Sequence, residues 1–233
     1  RGCRHVAHRR DEHGEHSRAR RNEPRGCESH RVGYEAAAGG NTCVTERTGD
    51  DAYTDKKPNS NRWIGTFTST SNHSNNSCAP SVEITPLTND KAALKAKIDT
   101  YVADGWTAGH LGTAWGWYML SHDWHNVWPE ASEPKSGGNV RKVTVIMTDG
   151  DYNTYYRNGV SSQDQAEDLC TGMKADLTVY TIGFGTGMSQ SAKDFLKACA
   201  SSPSHYFDAT NGDDLRNAFR SIAISLSQLR LTQ

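Results

Sequence analysis

From about residue 81 onward, short apolar runs alternate with longer stretches whose apolar residues recur at helical spacing. SVEITPL, residues 81–87, predicts a short strand. Thr88 then caps a helix reaching Val102, with Ala92, Leu94, Ile98 and Val102 along its mostly apolar face. DGWTAGHLGTAWGWYML predicts a turn followed by a helix from Ala108 to about Ser121, and SHDWHNVWPEASEPKSGG predicts a loop. NVRKVTVIMT is a strand whose near-continuous apolar segment, Lys142–Met147, is expected to be buried on both faces. SSQDQAEDLCTGMKAD predicts a helix capped by Ser161 or Ser162. LTVYTIGF follows as a strand, SQSAKDFLKACAS as a helix and HYFDA as a short strand. NGDDLRNAFRSIAISLSQLRL ends the pattern as a long helix with Leu215, Phe219, Ile222, Leu226 and Leu229 on one face.

Strands separated by helices of ten or more residues imply an α/β protein: three layers, Rossmann-like, a mostly parallel sheet with helices on both faces. Ligands of such sheets sit at the carboxyl ends of the strands. Asp149 stands at such an end, where VTVIMT passes into DGD. By itself, Asp149-Gly150-Asp151 is equally an ordinary turn, since Asp-Gly is a common turn pair.

The first eighty residues follow other rules. Residues 41–80 are polar and turn-rich and read as loop. Residues 1–40 hold no Leu, Ile, Phe, Met, Trp or Lys, yet carry nine of the sixteen arginines and five of the ten histidines. Such a segment buries too little apolar area to offset its ordering entropy. It reads as a disordered basic arm or as a segment translated out of frame, and in the second case Cys3 and Cys27 carry no structural meaning. The chain opens on Arg1, so its natural start is expected upstream. A formal net charge of -1 gives no electrostatic argument for nucleic acid or an anionic membrane. No apolar run is long enough to span a bilayer. Six cysteines without a C-x-x-C spacing disfavour a zinc ribbon or a thioredoxin-like site and are compatible with an oxidising compartment. Cys170 and Cys199, on the two helices flanking the strand Leu177–Phe184, are expected to form a disulfide, and Cys43 and Cys78 are the candidate second pair.

GWTAGHLGTAWGW, VTVIMTDGD and LTVYTIGFGTG, in that order, resemble the second half of a von Willebrand factor type A domain over about residues 81–231. The most specific part is a Gly-x-Thr turn opening a helix, followed by an apolar strand ending Thr-Asp-Gly. GHLGTAWGWYMLS, LKACAS and FRSIAISLSQLRLTQ further resemble the TadG-like proteins of tight-adherence (Flp) pilus systems, as does NTCVTERTG. The resemblance implies a non-enzymatic binding or adhesion domain of a pilus assembly protein, facing the periplasm or the outside of the cell. It implies protein partners such as pilins, assembly proteins or surface proteins, no nucleic acid, and a membrane anchor N-terminal to this chain. It implies a divalent cation, Mg²⁺ or else Mn²⁺ or Ca²⁺, at a metal-ion-dependent adhesion site. Thr107 matches the second loop of that site and Asp149 the third. Asp151 is a turn residue or an acceptor behind the site, and Trp106 lines its rim, where aromatic side chains serve partner contacts. Asp and Thr are hard oxygen ligands of the kind Mg²⁺ takes. The chain departs from the family pattern at the first loop: no Asp-x-Ser-x-Ser occurs in it, so its first strands are expected to be missing. The alternative the sequence offers is a metal-free structural interaction module of the assembly machinery.

Other motifs weigh less. Gly183–Gly187 reads GFGTG, a tight strand-to-helix turn and not the dinucleotide fingerprint. His122, Asp123 and His125 lack a zinc-site spacing and read as loop. Trp124 and Trp128 are expected to pack over the sheet edge, and one of Trp115 and Trp117 to lie in the core. No G-x-S-x-G elbow or Ser/Cys–His–Asp set is legible, which argues against catalysis.

Overall fold

The computed structural model describes residues 44–57, 64–66, 83–102, 106–156 and 160–228. Its elements are β1 (Val44–Arg47), β2 (Ile64–Thr66), α1 (Lys91–Ile98), α2 (Gly109–Leu120), β3 (Val143–Thr148), α3 (Ser162–Met173), β4 (Thr178–Phe184), α4 (Gln190–Cys199), β5 (Tyr206–Ala209) and α5 (Gly212–Gln228). β3, β4 and β5 form a parallel sheet in that order, with Val143 opposite Thr178 and Thr181 opposite Tyr206. The α/β reading holds, with helices on both faces of a parallel sheet.

β4 is the middle strand, and its alternate residues serve two cores. Val179 points into the cluster built on α2, α3 and α4, around Trp117, Leu169, Met173, Phe195 and Leu196. Tyr180 and Ile182 point the other way, onto Ala218 and Ile222 of α5. The serine cap expected for α3 is in place at Ser161, and α4 is capped in the same way by Ser189. Ser161 Oγ accepts from the Asp164 N–H at 3.1 Å, and Ser189 Oγ accepts from the Ala192 N–H at 3.1 Å. Each satisfies a donor that the first helical turn leaves open. Cys170 and Cys199 are bonded, with Cα atoms 5.2 Å apart, and join α3 to α4. Cys43 and Cys78 lie outside the described residues.

Aromatic side chains fill one flank. The Tyr118 and Trp124 rings stack at 3.9 Å, and Trp115 meets Tyr118, Trp124 and Trp128 edge-on. Trp117 is the core member of its pair at 3% exposure, and Trp124 and Trp128 are buried. The Arg47 guanidinium lies over Trp124 at 5.4 Å and Tyr118 at 5.7 Å, while Nη1 donates to the Thr54 carbonyl. A buried cation is tolerated here because aromatic faces and a carbonyl replace its water.

The structure departs from the sequence pattern in five places. Glu83–Leu87 is not a strand. The first helix begins at Lys91, not after Thr88. Asp90 Oδ1 accepts from the Ala92 and Ala93 N–H groups at 3.0 Å, a stronger cap, and Thr88 Oγ1 accepts from the Asp90 N–H. That helix ends at Ile98, and no residue in it is buried. Only Ile146 of β3 is buried, and Met147 is 51% exposed, because β3 has a strand on one side only among the described residues. On α5, Phe219 is 46% exposed and Ala218 takes the inward place; Leu229 lies outside the described residues. Finally, β1 and β2 pair antiparallel where the pattern predicts loop. Their burial is polar: Glu46, Arg47 and the following Asp51 are buried, and hydropathy reads such residues as surface.

Candidate functional site

Three loops gather at the carboxyl end of the parallel sheet. The first runs into α2 and carries Trp106 and Thr107. The Thr107 N–H donates to Asn153 Oδ1 at 2.8 Å, and its carbonyl accepts from the N–H groups of Asn153 (3.0 Å) and Thr154 (3.1 Å). Those bonds fasten it to the second loop, which leaves β3 at Thr148. Gly109 completes the junction: the Tyr152 ring lies where a Cβ would project, so only glycine lets the two loops meet this closely. Burial pushes the Tyr152 phenol up from its ordinary pKa.

The turn at Asp149 is held by its neighbour. Thr148 Oγ1 accepts from the Gly150 N–H at 3.3 Å and donates to the Gly150 carbonyl at 3.0 Å. This leaves Asp149 exposed at the tip, with no hydrogen bond or ion pair among the described residues. Thr107 Oγ1 likewise makes no hydrogen bond among them. Asp151 turns to the third loop, where its carboxylate accepts from the Ser189 N–H at 3.2 Å. Gly185 in that loop has φ +89°, and its N–H donates to the Ala209 carbonyl at 2.8 Å. GFGTG is thus a tight turn. Trp106 stands 69% exposed on the rim.

The unengaged oxygens of Thr107 and Asp149 match a hard cation in kind and fall short in number, since Mg²⁺ takes about six oxygens, several of them from water. Among the described residues, no group of three or more His, Cys, Asp or Glu is placed to hold a metal. His122 and His125 stack ring on ring in a 3-10 turn, where the His125 Nδ1 bonds the His122 carbonyl.

A second polar cluster is invisible in the sequence. His110 Nδ1 lies 2.7 Å from Ser162 Oγ, and its Nε2 lies 2.8 Å from Glu46 Oε1. The same carboxylate oxygen accepts from the Tyr156 N–H at 2.8 Å and from Gln165 Nε2 at 3.5 Å. Burial alone would raise the Glu46 pKa; the bonds from His110 and the Tyr156 N–H outweigh it and hold the group at about 2. Serine, histidine and carboxylate stand in the order of a nucleophilic relay, but Ser162 is fully buried and His110 is 1% exposed. The cavity beside Glu46 and His110 is about 20 Å³, room for one water and no substrate. The relay is a strut joining β1, α2 and α3. Its members are 64 and 52 residues apart along the chain, so spacing carries no signal of it.

Comparison with known proteins identifies the family of the fold. A model of the von Willebrand factor type A domain matches residues 74–221. No curated protein matches the chain. Among solved structures, the pilus adhesin SpaC from Lactobacillus rhamnosus GG is similar over 59% of this chain and 21% of its own, at 14% identity and a TM-score of 0.43. Proximal thread matrix protein 1 from the mussel byssus, with a zinc-occupied MIDAS motif, is similar over 59% of this chain and 31% of its own, at 22% identity and a TM-score of 0.38. Another crystal form of that protein gives 25% identity over 56% of this chain and 27% of its own, with a TM-score of 0.33. The chain therefore spans less than a third of the length of these structures.

Proposed function

The chain belongs to the von Willebrand factor type A family, and from that premise we propose that it is the binding domain of a TadG-like pilus assembly protein, engaging a protein partner at the carboxyl edge of its sheet. The observation that carries this reading is the pair of unengaged side-chain oxygens, Thr107 Oγ1 and Asp149, on loops fastened together by three hydrogen bonds through Asn153 and Thr154. Thr107 and Asp149 hold a divalent cation there in concert with water oxygens. When bound, the cation supplies an open position for a partner's carboxylate. The protein's own part is to keep both oxygens free. Asn153 occupies the Thr107 backbone, Thr148 occupies Gly150, and Asp151 is spent on Ser189. Partners in this reading are a pilin, an assembly protein or a surface protein, met outside the cytoplasm.

Mn²⁺ is the probe, since its free-ion electron spin resonance signal falls when it is bound. The expected result is signal loss with the wild-type chain, reversal by chelator, and full signal with Asp149→Ala. Binding that persists in Asp149→Ala refutes the assignment. A second reading, a metal-free interaction module, is favoured by the exposed Trp106, Ile98, Tyr101 and Val102, which form contacts without an ion. An unchanged Mn²⁺ signal with the wild-type chain selects it.

A further inference from the structure

Residues 44–57 precede the stretch matched to the family, residues 74–221, yet they grip the helix that follows Thr107. In the first turn of α2, His110 Nε2 lies 2.8 Å from Glu46 Oε1. At the far end, Asp55 Oδ2 accepts from the hydroxyl of the C-cap Ser121 at 2.6 Å, and the Asp55 carbonyl accepts from Trp124 Nε1 at 2.8 Å. Between them the Arg47 guanidinium covers the Tyr118 and Trp124 rings. The segment thus braces α2 from first turn to C-cap. Glu46 also reaches past the helix: the oxygen that meets His110 accepts from the Tyr156 N–H at 2.8 Å. His110 is three residues beyond Thr107, and Tyr156 is two residues beyond Thr154, on the loop that carries Asp149. Glu46 is ionised at neutral pH and a carboxylate only accepts, so His110 Nε2 is the donor. Both loops of the candidate site therefore donate, through His110 and Tyr156, to one buried atom.

We propose that residues 44–57 splint the candidate cation site from outside the matched family domain, and that Glu46 is its positioning residue. The inference rests on the cation reading of Thr107 and Asp149. Thr107 and Asn153 are 46 residues apart along the chain, so their relative placement depends on bonds across the junction of the two loops. The bond from the Thr107 N–H to Asn153 is exposed, and water competes for its groups. The bonds to Glu46 are set deeper, and losing a shared acceptor there is costly for both loops at once. The interior oxygen holds the loops in register, and the surface bonds then fix where the Thr107 and Asp149 oxygens stand. Glu46 touches neither of those oxygens and acts through His110 and Tyr156.

The test follows two readouts in the full chain: Mn²⁺ affinity by electron spin resonance, and amide hydrogen exchange at Thr107, Asn153 and Thr154. Glu46→Ala removes the acceptor. It is expected to weaken Mn²⁺ binding by about fivefold and to speed exchange at those three amides by about as much, relative to the amides of β4. Glu46→Gln keeps an oxygen for His110 and Tyr156 and is expected to stay within about twofold of wild type in both readouts, although it loses the charge. A residue that only stabilised the fold would move neither readout while the chain stays folded. Where Glu46→Ala does not fold, His110→Ala carries the test: it cuts the α2 arm, leaves Tyr156 on the carboxylate, and has the same expected effects. Wild-type affinity together with wild-type exchange in the variant overturns the proposal, as does a Glu46→Gln chain as weak as Glu46→Ala. A wild-type chain that leaves the Mn²⁺ signal unchanged refutes the cation reading instead. The exchange rates need no metal and still decide whether Glu46 sets the two loops.

Discussion

Glu46 sits in a stretch whose polarity reads as loop, yet it is 6% exposed and takes bonds from His110, Tyr156 and Gln165. Its value is set by a contest between burial, which favours the neutral acid, and donors, which favour the carboxylate; the donors prevail and hold it at about 2 against an ordinary 4.5. The linkage follows in sign. A carboxyl with a depressed native pKa contributes stability that is fully present above about 4.5 and is lost as pH falls through about 2. At about 1.4 kcal/mol per pKa unit, the contribution at pH 7 is on the order of 3 kcal/mol. Glu46→Gln is therefore expected to be destabilised in urea titrations at pH 7, with the gap to wild type narrowing as pH falls from about 5 to 2. A gap that stays constant over that window would show the carboxylate's charge to be irrelevant to the strut.

At the scale of elements, the disulfide between α3 and α4 is the clearest restraint. Cys170 and Cys199 are 29 residues apart in sequence, and both are buried, at 1% and 2% exposure. Closing a loop of that size in the unfolded chain is worth about 3 kcal/mol. Replacing both cysteines by alanine is expected to lower the urea midpoint and the Tm without changing the circular dichroism at room temperature. An unchanged midpoint would mean that packing alone joins the two helices. The elements legible in the sequence are those where period and cap agree. α3 and α4 have strong apolar spacing and serine caps, β4 is a continuous apolar run, and all three fall where the pattern puts them. β1 was hidden because its buried residues are a glutamate and an arginine, met far along the chain by His110 and by the Tyr118 and Trp124 rings. The Lys142–Met147 segment was legible as a strand and misjudged in burial, since apolar character does not tell a central strand from an edge one. Thr107 and Asp149 were nominated through the resemblance. The bonds that hold their loops together run through Asn153 and Thr154, whose part no motif records.

For the whole molecule, the carboxyl edge is held from beyond its own loops. Thr107 is joined to the loop after β3 through Asn153 and Thr154, and Asp151 of that loop accepts from the Ser189 N–H at the N-cap of α4. The helix that follows Thr107, α2, is fixed in turn by His110 to Glu46 and Ser162. Asn153 is the side chain that ties the two loops, its Oδ1 accepting from the Thr107 N–H at 2.8 Å. Asn153→Ala removes that acceptor and is expected to loosen the Thr107 loop, weakening Mn²⁺ binding by roughly fivefold, about 1 kcal/mol, in the same resonance titration while the circular dichroism stays unchanged. An affinity equal to that of the wild type would show that the backbone bonds from Asn153 and Thr154 hold the loop without the side chain.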